Sequence, residues 1–283
     1  MRTRIVCLVV LMLLVFLPVG MAEEQPVFAD LRTMAPAGTF LEPGQEPVYD
    51  TNSYRSEHIA ITISKERVDQ ADVTIADIYV TSVQYLRRAF SAGAWRKPAD
   101  RVSSIALSNN AILAISGDYA SLLDAGLVAA NGEIYRKSDN KARDNCLIFT
   151  DGRMVTYPRR AMKSAEMMTD DLWHSFLFGP RLLDDDGQPF PKFDSKVGVA
   201  NPRSVIGYYA PGHYCFVLVD GRSSQSKGLA MTPLSRFMSE LGCKQAYNLD
   251  GGQSAMMYFR GEIITEPYNG GRKISDIVYI GLQ

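Results

Sequence analysis

Five short segments of the chain contain aspartate, arginine or glycine, residue types well suited to act on a polar, charged ligand. A carboxylate can serve as nucleophile or general base, and a guanidinium group can bind an anion through two nitrogens. The segments are Ser116-Gly117-Asp118-Tyr119, Phe178-Gly179-Pro180-Arg181, Asn201-Pro202-Arg203-Ser204, Asp220-Gly221-Arg222-Ser223 and Asn248-Leu249-Asp250-Gly251-Gly252-Gln253-Ser254. Each of the three segments that contain an aspartate, Asp118, Asp220 or Asp250, is by itself also typical of a tight turn in which the aspartate caps its own backbone. A site therefore requires a fold that brings several of them together.

Apolar runs precede several of these segments, so strands are expected to position them. Residues 111–115, which directly precede Ser116, are wholly apolar, as is typical of a central strand. A second short strand is expected to deliver Asn248 and Asp250. The pattern predicts strands at residues 58–63, 73–80, 111–115, 246–247 and 255–259.

Helices are expected at few places. Residues 86–90 and 99–108 have helical character, and the clearest boundaries belong to residues 233–241. There Thr232 suits the N-cap and Gly242 suits the C-terminal stop.

Two dipeptides, Asn131-Gly132 and Asp151-Gly152, predict tight hairpins because they supply the positive-φ residues that such turns need. Short strands dominate and no break in composition divides the core. The sequence therefore predicts an α+β fold, with a single domain at residues 53–283 and an extended lead-in at residues 23–52. A large mixed or antiparallel sheet, several hairpins and a few packed helices are expected in it.

The overall composition excludes several classes of protein. Apolar residues make up 46% of the 283 residues, which is enough for a large core, and 30 basic residues nearly balance 31 acidic ones. The high apolar fraction excludes disordered and collagen-like chains. The balance of charges argues against a nucleic-acid partner, because binding to phosphate backbones requires an excess of positive charge.

The first 22 residues have the features of a signal peptide. A basic start is followed by an apolar run and by small residues before Ala22, where cleavage is expected. The alternative is an uncleaved anchor, although the run is short for a bilayer. The sequence thus predicts a secreted or cell-envelope protein with no integral membrane span in the mature chain.

Three cysteines remain after the predicted cleavage: Cys146, Cys215 and Cys243. Two of them lie in apolar, strand-like runs, which favours buried thiols. One disulfide with a spare thiol is the alternative.

Residues 201–281 closely resemble the phosphodiester glycosidase family. The matching motifs occur in the family's order and spacing: Pro202-Arg203-Ser204-Val205-Ile206-Gly207, Asp220-Gly221-Arg222, the helix from Thr232 to Gly242, residues 248–254, and Arg272 before a closing strand. Weaker matches at residues 115–120 and 178–182 extend the resemblance to residues 57–281.

The resemblance implies a hydrolase, a glycosidase that cleaves a sugar-1-phosphodiester. Together with the predicted signal peptide, it leads us to expect a secreted enzyme that acts on cell-envelope or extracellular glycan. The leaving group is a phosphate monoester, which is a much weaker base than a sugar hydroxyl, so the usual need for two opposed carboxylates relaxes. Asp250 is expected to be the nucleophile or general base. Asp220 or Asp118 would be a second carboxylate that orients Asp250 or binds sugar hydroxyls.

Positive charge and backbone donors are expected to bind the substrate. Phosphate is assigned to three arginines, Arg203, Arg222 and Arg272, with Arg143 and Arg181 behind them. The other residues predicted to bind substrate are Asn248, Gly251, Gly252 and Ser254, because glycine N–H groups together with a hydroxyl can hold an anionic oxygen.

Two departures from the family pattern favour a different function. Ser116 stands where the family has Asn, and Ala120 stands where it has a second aromatic residue, both in one wall of the implied site. They favour the alternative of a non-catalytic carbohydrate- or envelope-binding protein on the same fold. The intact segments around Asp220 and Asp250 favour the enzyme.

A cofactor is not clearly indicated. His58, His174 and His213 are widely spaced and form no ligand pattern. Carboxylates near glycine loops can bind a divalent cation through oxygen ligands, so such an ion stays open.

Overall fold

The computed structural model describes residues 26–193 and 198–282. The predicted signal peptide lies outside the described residues. The helices of the described part are α1 (Val102–Ser108), α2 (Ser164–Met167) and α3 (Met231–Glu240). Its strands are β1 (Val48–Tyr49), β2 (Ser53–Arg55), β3 (Ile59–Val68), β4 (Ala71–Val80), β5 (Leu86–Phe90), β6 (Ala111–Ser116), β7 (Leu127–Ala130), β8 (Glu133–Lys137), β9 (Asn145–Phe149), β10 (Met154–Tyr157), β11 (Leu172–Phe176), β12 (Arg203–Ala210), β13 (His213–Val219), β14 (Gln245–Asn248), β15 (Met257–Phe259), β16 (Glu262–Ile263) and β17 (Asp276–Gly281).

Two antiparallel sheets pack face to face around the main core. One has seven strands in the order β1-β2-β3-β4-β13-β12-β14, and the other has five in the order β16-β15-β6-β17-β5. Alternate side chains of each sheet point inward. Phe216 and Leu218 of the larger sheet thus meet Val278 and Ile280 of the smaller one in a single buried cluster. A three-stranded sheet, β10-β9-β11, and the hairpin β7-β8 complete the strands.

Helices cover the outer faces of both sheets. Helix α3 buries Leu234 and Met238 against a cluster that contains Val217 of the larger sheet. Helix α1 packs Ile105 into a cluster with Ile277 of the smaller sheet. These antiparallel sheets, hairpins and few packed helices confirm the predicted α+β class.

Most local predictions agree with the structure, and two are wrong. Residues 86–90 form strand β5 rather than a helix, because this segment pairs with β17 at the edge of the five-stranded sheet. Helix α3 begins at Met231, so Thr232 lies inside the helix and is not its N-cap. The Met231 N–H is satisfied instead by the carbonyl of Gly198, 3.1 Å away.

The described part of the lead-in, residues 26–52, contains a short 3-10 turn and strand β1.

The three cysteines Cys146, Cys215 and Cys243 are buried free thiols. The sulfur atoms of Cys215 and Cys243 lie 3.7 Å apart. Among the described residues, no helix has the length and apolar character needed to cross a bilayer.

Candidate active site

The polar segments predicted at strand ends gather at one edge of the molecule. Strand β12 runs antiparallel to both β13 and β14, so Arg203 at its start lies opposite the end of β13. Asn248 at the end of β14 pairs with Val205 of β12. The end of β6 reaches this edge from the other sheet, because the Asp250 N–H donates to the Gly117 carbonyl at 2.9 Å. Both sheets therefore contribute to the same region.

Asp250 is a largely buried carboxylate at this edge, with 6% of its surface exposed. Nη2 of Arg272 lies 2.9 Å from its Oδ2 and 3.3 Å from its Oδ1. The hydroxyl of Ser254 accepts from Nε of Arg272 at 2.5 Å and is also hydrogen-bonded to Asp250. Burial raises the pKa of Asp250 above its usual value, whereas Ser254 and Arg272 pull it down. The net result is a fixed carboxylate that is more basic than an exposed one.

The end of strand β6 holds the backbone of Asp250 on both sides. The Ser116 hydroxyl donates to the Asp250 carbonyl at 2.7 Å, and the Gly117 carbonyl accepts from the Asp250 N–H. Gly117 cannot carry a side chain, because a Cβ there would lie 2.0 Å from Oδ2 of Asp276. Ser116 thus fixes the position of the Asp250 backbone.

A pocket of about 160 Å³ opens beside Asp250, with Arg203 and Arg222 in its walls. Arg222 donates from Nε and Nη2 to Oδ1 of Asn201, at 3.0 and 2.9 Å. Arg203 is buried and donates to the Leu229 carbonyl at 2.9 Å. Burial, together with the nearby Arg222 charge, lowers the pKa of Arg203 to about 10, which still leaves it protonated at neutral pH. The pocket therefore offers two positive charges to an anion.

The backbone at the two glycines is shaped for close approach. A Cβ on Gly251 would lie 2.6 Å from the Pro202 carbonyl oxygen, so only glycine fits there. The Gly252 N–H donates to that same oxygen at 2.9 Å, so it is already engaged and does not face a ligand. Of the two N–H groups predicted to bind an anion, only that of Gly251 has no partner among the described residues.

Asp118 is fully buried and does not line the pocket. It pairs with the buried guanidinium group of Arg88, whose Nη2 also lies 2.8 Å from Oδ2 of Asp276. The N–H groups of Ala120 and Leu177 donate to the Asp118 carboxylate at 2.9 and 3.0 Å. Burial raises the pKa of Asp118 to about 6, and Arg88 opposes this effect. These contacts anchor the segment that carries Gly117, and through it the backbone of Asp250.

Asp220 also lies apart from the pocket lining. Its Oδ1 accepts from the Glu266 N–H at 3.1 Å, and the side chain is 7% exposed. Burial raises the pKa of Asp220 to about 6, against the lowering effect of the Glu266 N–H. The structure thus brings Asp250, Arg203, Arg222 and Arg272 together, whereas Asp118 and Asp220 occupy separate environments.

Several other residues predicted in or near the site do not line the pocket beside Asp250. Ser116 and Ala120, expected in a wall of the site, are fully buried and are not among the residues that line the pocket. Arg143 donates to the carbonyl of Phe178, a residue that does line the pocket. Arg181 forms a 2.6 Å ion pair with Asp185 and is absent from the lining. A larger pocket of about 400 Å³, which includes Trp173, contains none of the predicted site residues.

Sequence reasoning missed Arg88 and Asp276, the partners of Asp118. The sequence signal was Arg88, a charged residue within the otherwise largely apolar segment 86–90. If residues 86–90 are given the two-residue period of a strand, Arg88 shares a face with Leu86 and Phe90 and must be buried. A buried guanidinium group requires a carboxylate partner, and Asp276 at the start of β17 is one.

Metal ligands are not grouped in the part of the chain that the structure describes: no three His, Cys, Asp or Glu side chains lie close enough to hold an ion. The divalent cation stays a prediction. What the geometry offers is an anion pocket with a fixed carboxylate in its wall.

Comparison with known proteins places this arrangement in a family. The family model for phosphodiester glycosidase matches residues 109–281. The SPbeta prophage-derived uncharacterized protein YomE of Bacillus subtilis (strain 168) is 30% identical over 151 residues, which are 51% of this chain and 23% of that protein. The match thus spans less than a quarter of that relative's length.

Two solved structures share the fold. The catalytic domain of zebrafish N-acetylglucosamine-1-phosphodiester alpha-N-acetylglucosaminidase, auto-inhibited by its pro-peptide, aligns with a TM-score of 0.64 at 18% identity, over 80% of this chain and 83% of that one. A hypothetical protein from Synechocystis aligns with a TM-score of 0.55 at 12% identity, over 80% of this chain and 62% of that one. Because the family model covers more than half of the chain, including every residue of the pocket beside Asp250, the chain belongs to the phosphodiester glycosidase family.

Proposed function

We propose that this protein hydrolyses a sugar-1-phosphodiester with Asp250 as its catalytic carboxylate. The observation that carries the proposal is that Asp250 shares one small pocket with Arg203 and Arg222, while Arg272 holds its carboxylate in place. A phosphodiester carries one negative charge, and guanidinium groups bind such oxygens in a fork geometry. Membership of the phosphodiester glycosidase family supports the same reaction class.

In this reaction the bond between the anomeric carbon and the phosphate oxygen breaks, and water supplies the new hydroxyl group. Asp250 either attacks the anomeric carbon or takes a proton from the attacking water. Among the described residues that line the pocket, Asp250 is the one carboxylate. One carboxylate suffices because the phosphate departs without strong protonation. Arg203 and Arg222 would stabilise the charge that develops on the leaving phosphate.

The proposed substrate lies outside the cell or in its envelope. The support is the basic and apolar pattern of residues 1–22, which is typical of an export signal. The sugar phosphodiesters of cell-envelope or extracellular glycan would then be accessible to the protein.

The test is release of phosphate monoester from purified sugar-1-phosphodiesters, measured with and without a chelator. The proposal requires turnover, and persistence of turnover with chelator would exclude an essential divalent cation. Binding of the diesters without any release would overturn the catalytic proposal and support the alternative of a carbohydrate-binding protein on this fold.

A further inference from the structure

One residue that lines the pocket has a side-chain atom without a hydrogen-bond partner. Asn248, at the end of β14, is 1% exposed and lines the pocket. Its Oδ1 is the one buried side-chain nitrogen or oxygen atom in the described residues without a hydrogen bond. A buried acceptor without a hydrogen bond destabilises the fold, so its retention calls for an explanation.

The orientation of the Asn248 amide is fixed by its other end. Nδ2 donates to the Gly179 carbonyl at 2.8 Å. The reversed amide would place Oδ1 against that carbonyl, where two acceptors repel. The Asn248 oxygen is therefore the end of the amide that remains for a ligand, and it can only accept a hydrogen bond.

The phosphate group cannot supply that hydrogen bond. A phosphodiester is an anion with no proton at neutral pH, so its oxygens only accept. Its place is beside the guanidinium groups of Arg203 and Arg222, which are donors. The pocket is small, about 160 Å³, so a sugar joined to this phosphate would lie directly beside these guanidinium groups. Within such a substrate, the hydrogen-bond donors that could reach Asn248 are the sugar hydroxyl groups.

We propose that Asn248 is a specificity-determining residue whose Oδ1 accepts a hydrogen bond from a sugar hydroxyl next to the phosphodiester. The inference rests on the proposed function for the nature of the ligand. The substrates would be sugar phosphodiesters that carry a free hydroxyl group within hydrogen-bonding reach of Asn248 Oδ1. Sugars that lack the hydroxyl leave the buried acceptor unpaired, and sites of this kind reject such analogues strongly.

Binding measurements test this inference without requiring turnover. The protein carrying Asp250→Asn is titrated calorimetrically with the methyl phosphodiesters of glucose 1-phosphate, galactose 1-phosphate and mannose 1-phosphate, and with their single-deoxy analogues. One deoxy position should weaken binding at least tenfold. With Asn248→Ala added, removal of the same hydroxyl should cost less than threefold. Equal losses in the two proteins, or no binding of any diester, would overturn the inference.

A second comparison needs no change at Asn248. The deoxyfluoro analogue at the sensitive position keeps an electronegative atom but has no proton to donate, so it should bind as weakly as the deoxy analogue. Binding as tight as that of the parent sugar would contradict the role of Asn248 as an acceptor. Turnover of the parent diesters by the unaltered protein separates the two proposals, because selective binding without turnover would defeat only the proposed function.

Discussion

At the scale of single residues, opposing influences set the basicity of the Asp250 carboxylate. Burial makes its carboxylate more basic, while Arg272 and Ser254 stabilise the ionised form and fix its direction. Neither influence alone would serve, because an exposed aspartate is weakly basic and an unpaired buried one is protonated. The pairing is therefore part of the chemistry, as well as of the packing.

Replacement of Arg272 by Met should shift the pH dependence of the reaction. Arg272 lowers the pKa of Asp250, so its loss raises that pKa further. Activity needs the ionised carboxylate, so it falls as the pH drops through this pKa. The acid limb of the kcat/KM profile should therefore move to higher pH, by roughly one unit or more. The control is Arg101→Met on the exposed surface. An unmoved acid limb with only a lower kcat would show that Arg272 does not tune Asp250.

At the scale of elements, the strand ends position the site, and strand β6 is the support for Asp250. Its last residue, Ser116, and the next residue along the chain, Gly117, form hydrogen bonds with the Asp250 backbone. The same strand end is anchored by Asp276, whose backbone carbonyl accepts from the Gly117 N–H at 2.9 Å. The carboxylate of Asp276, together with its backbone carbonyl oxygen, leaves no room for a side chain on Gly117.

Gly117→Ala should therefore destabilise the fold by about 3 kcal/mol or more. The added methyl group would displace the Asp276 carboxylate from Arg88, which combines overpacking with the disruption of a buried ion pair. Urea-induced unfolding would measure the loss. Gly38→Ala is the control, since a Cβ there has no neighbour within 4 Å and only backbone strain of about 1 kcal/mol is expected. Similar losses for both variants would refute the crowding argument.

Local elements were predictable wherever local chemistry decides them. The dipeptides at Asn131 and Asp151 form the expected hairpins, because positive φ at such turns is a property of the residues themselves. Strand β5 was missed because its buried Arg88 depends on Asp118 and Asp276, which are distant in sequence. The start of α3 was misplaced for a similar reason, since the Gly198 carbonyl replaces a capping side chain.

At the scale of the whole molecule, the order of the strands decides which predicted residues meet. Asp118, Asp220 and Asp250 all follow strands and are equivalent as sequence patterns. Only Asp250 enters the pocket, since the carboxylates of Asp118 and Asp220 have partners elsewhere in the fold. The sequence indicates that such segments exist, but the direction of each side chain depends on contacts between the two sheets.

The core also makes global stability depend on pH. His174 is fully buried as a neutral ring, with Nε2 2.9 Å from the Leu86 carbonyl and Nδ1 accepting from the Asn131 N–H at 3.2 Å. Burial lowers the pKa of His174 to about 3. The unfolded chain binds a proton there near pH 6.5, so stability should fall as the pH drops from 6.5 towards 3, by up to about 1.4 kcal/mol per pH unit.

The variant His174→Gln should lose this dependence. Unfolding free energies of the two proteins, measured in urea between pH 7 and pH 4, should approach each other as the pH falls. The contributions of Asp118 and Asp220 have the opposite sign, because their pKa values are raised, but they are present in both proteins and cancel in the difference. Parallel curves would mean that His174 titrates normally in the folded protein.

The most direct test of the central claim is the rate of hydrolysis of a sugar-1-phosphodiester by Asp250→Asn. The matched control is Asp170→Asn, which removes an exposed carboxylate of the surface. The account predicts a loss of kcat of at least a thousandfold for Asp250→Asn, unchanged binding within about tenfold, and no change for Asp170→Asn. Hydrolysis by Asp250→Asn at the rate of the unaltered protein would contradict the assignment of Asp250 as the catalytic carboxylate.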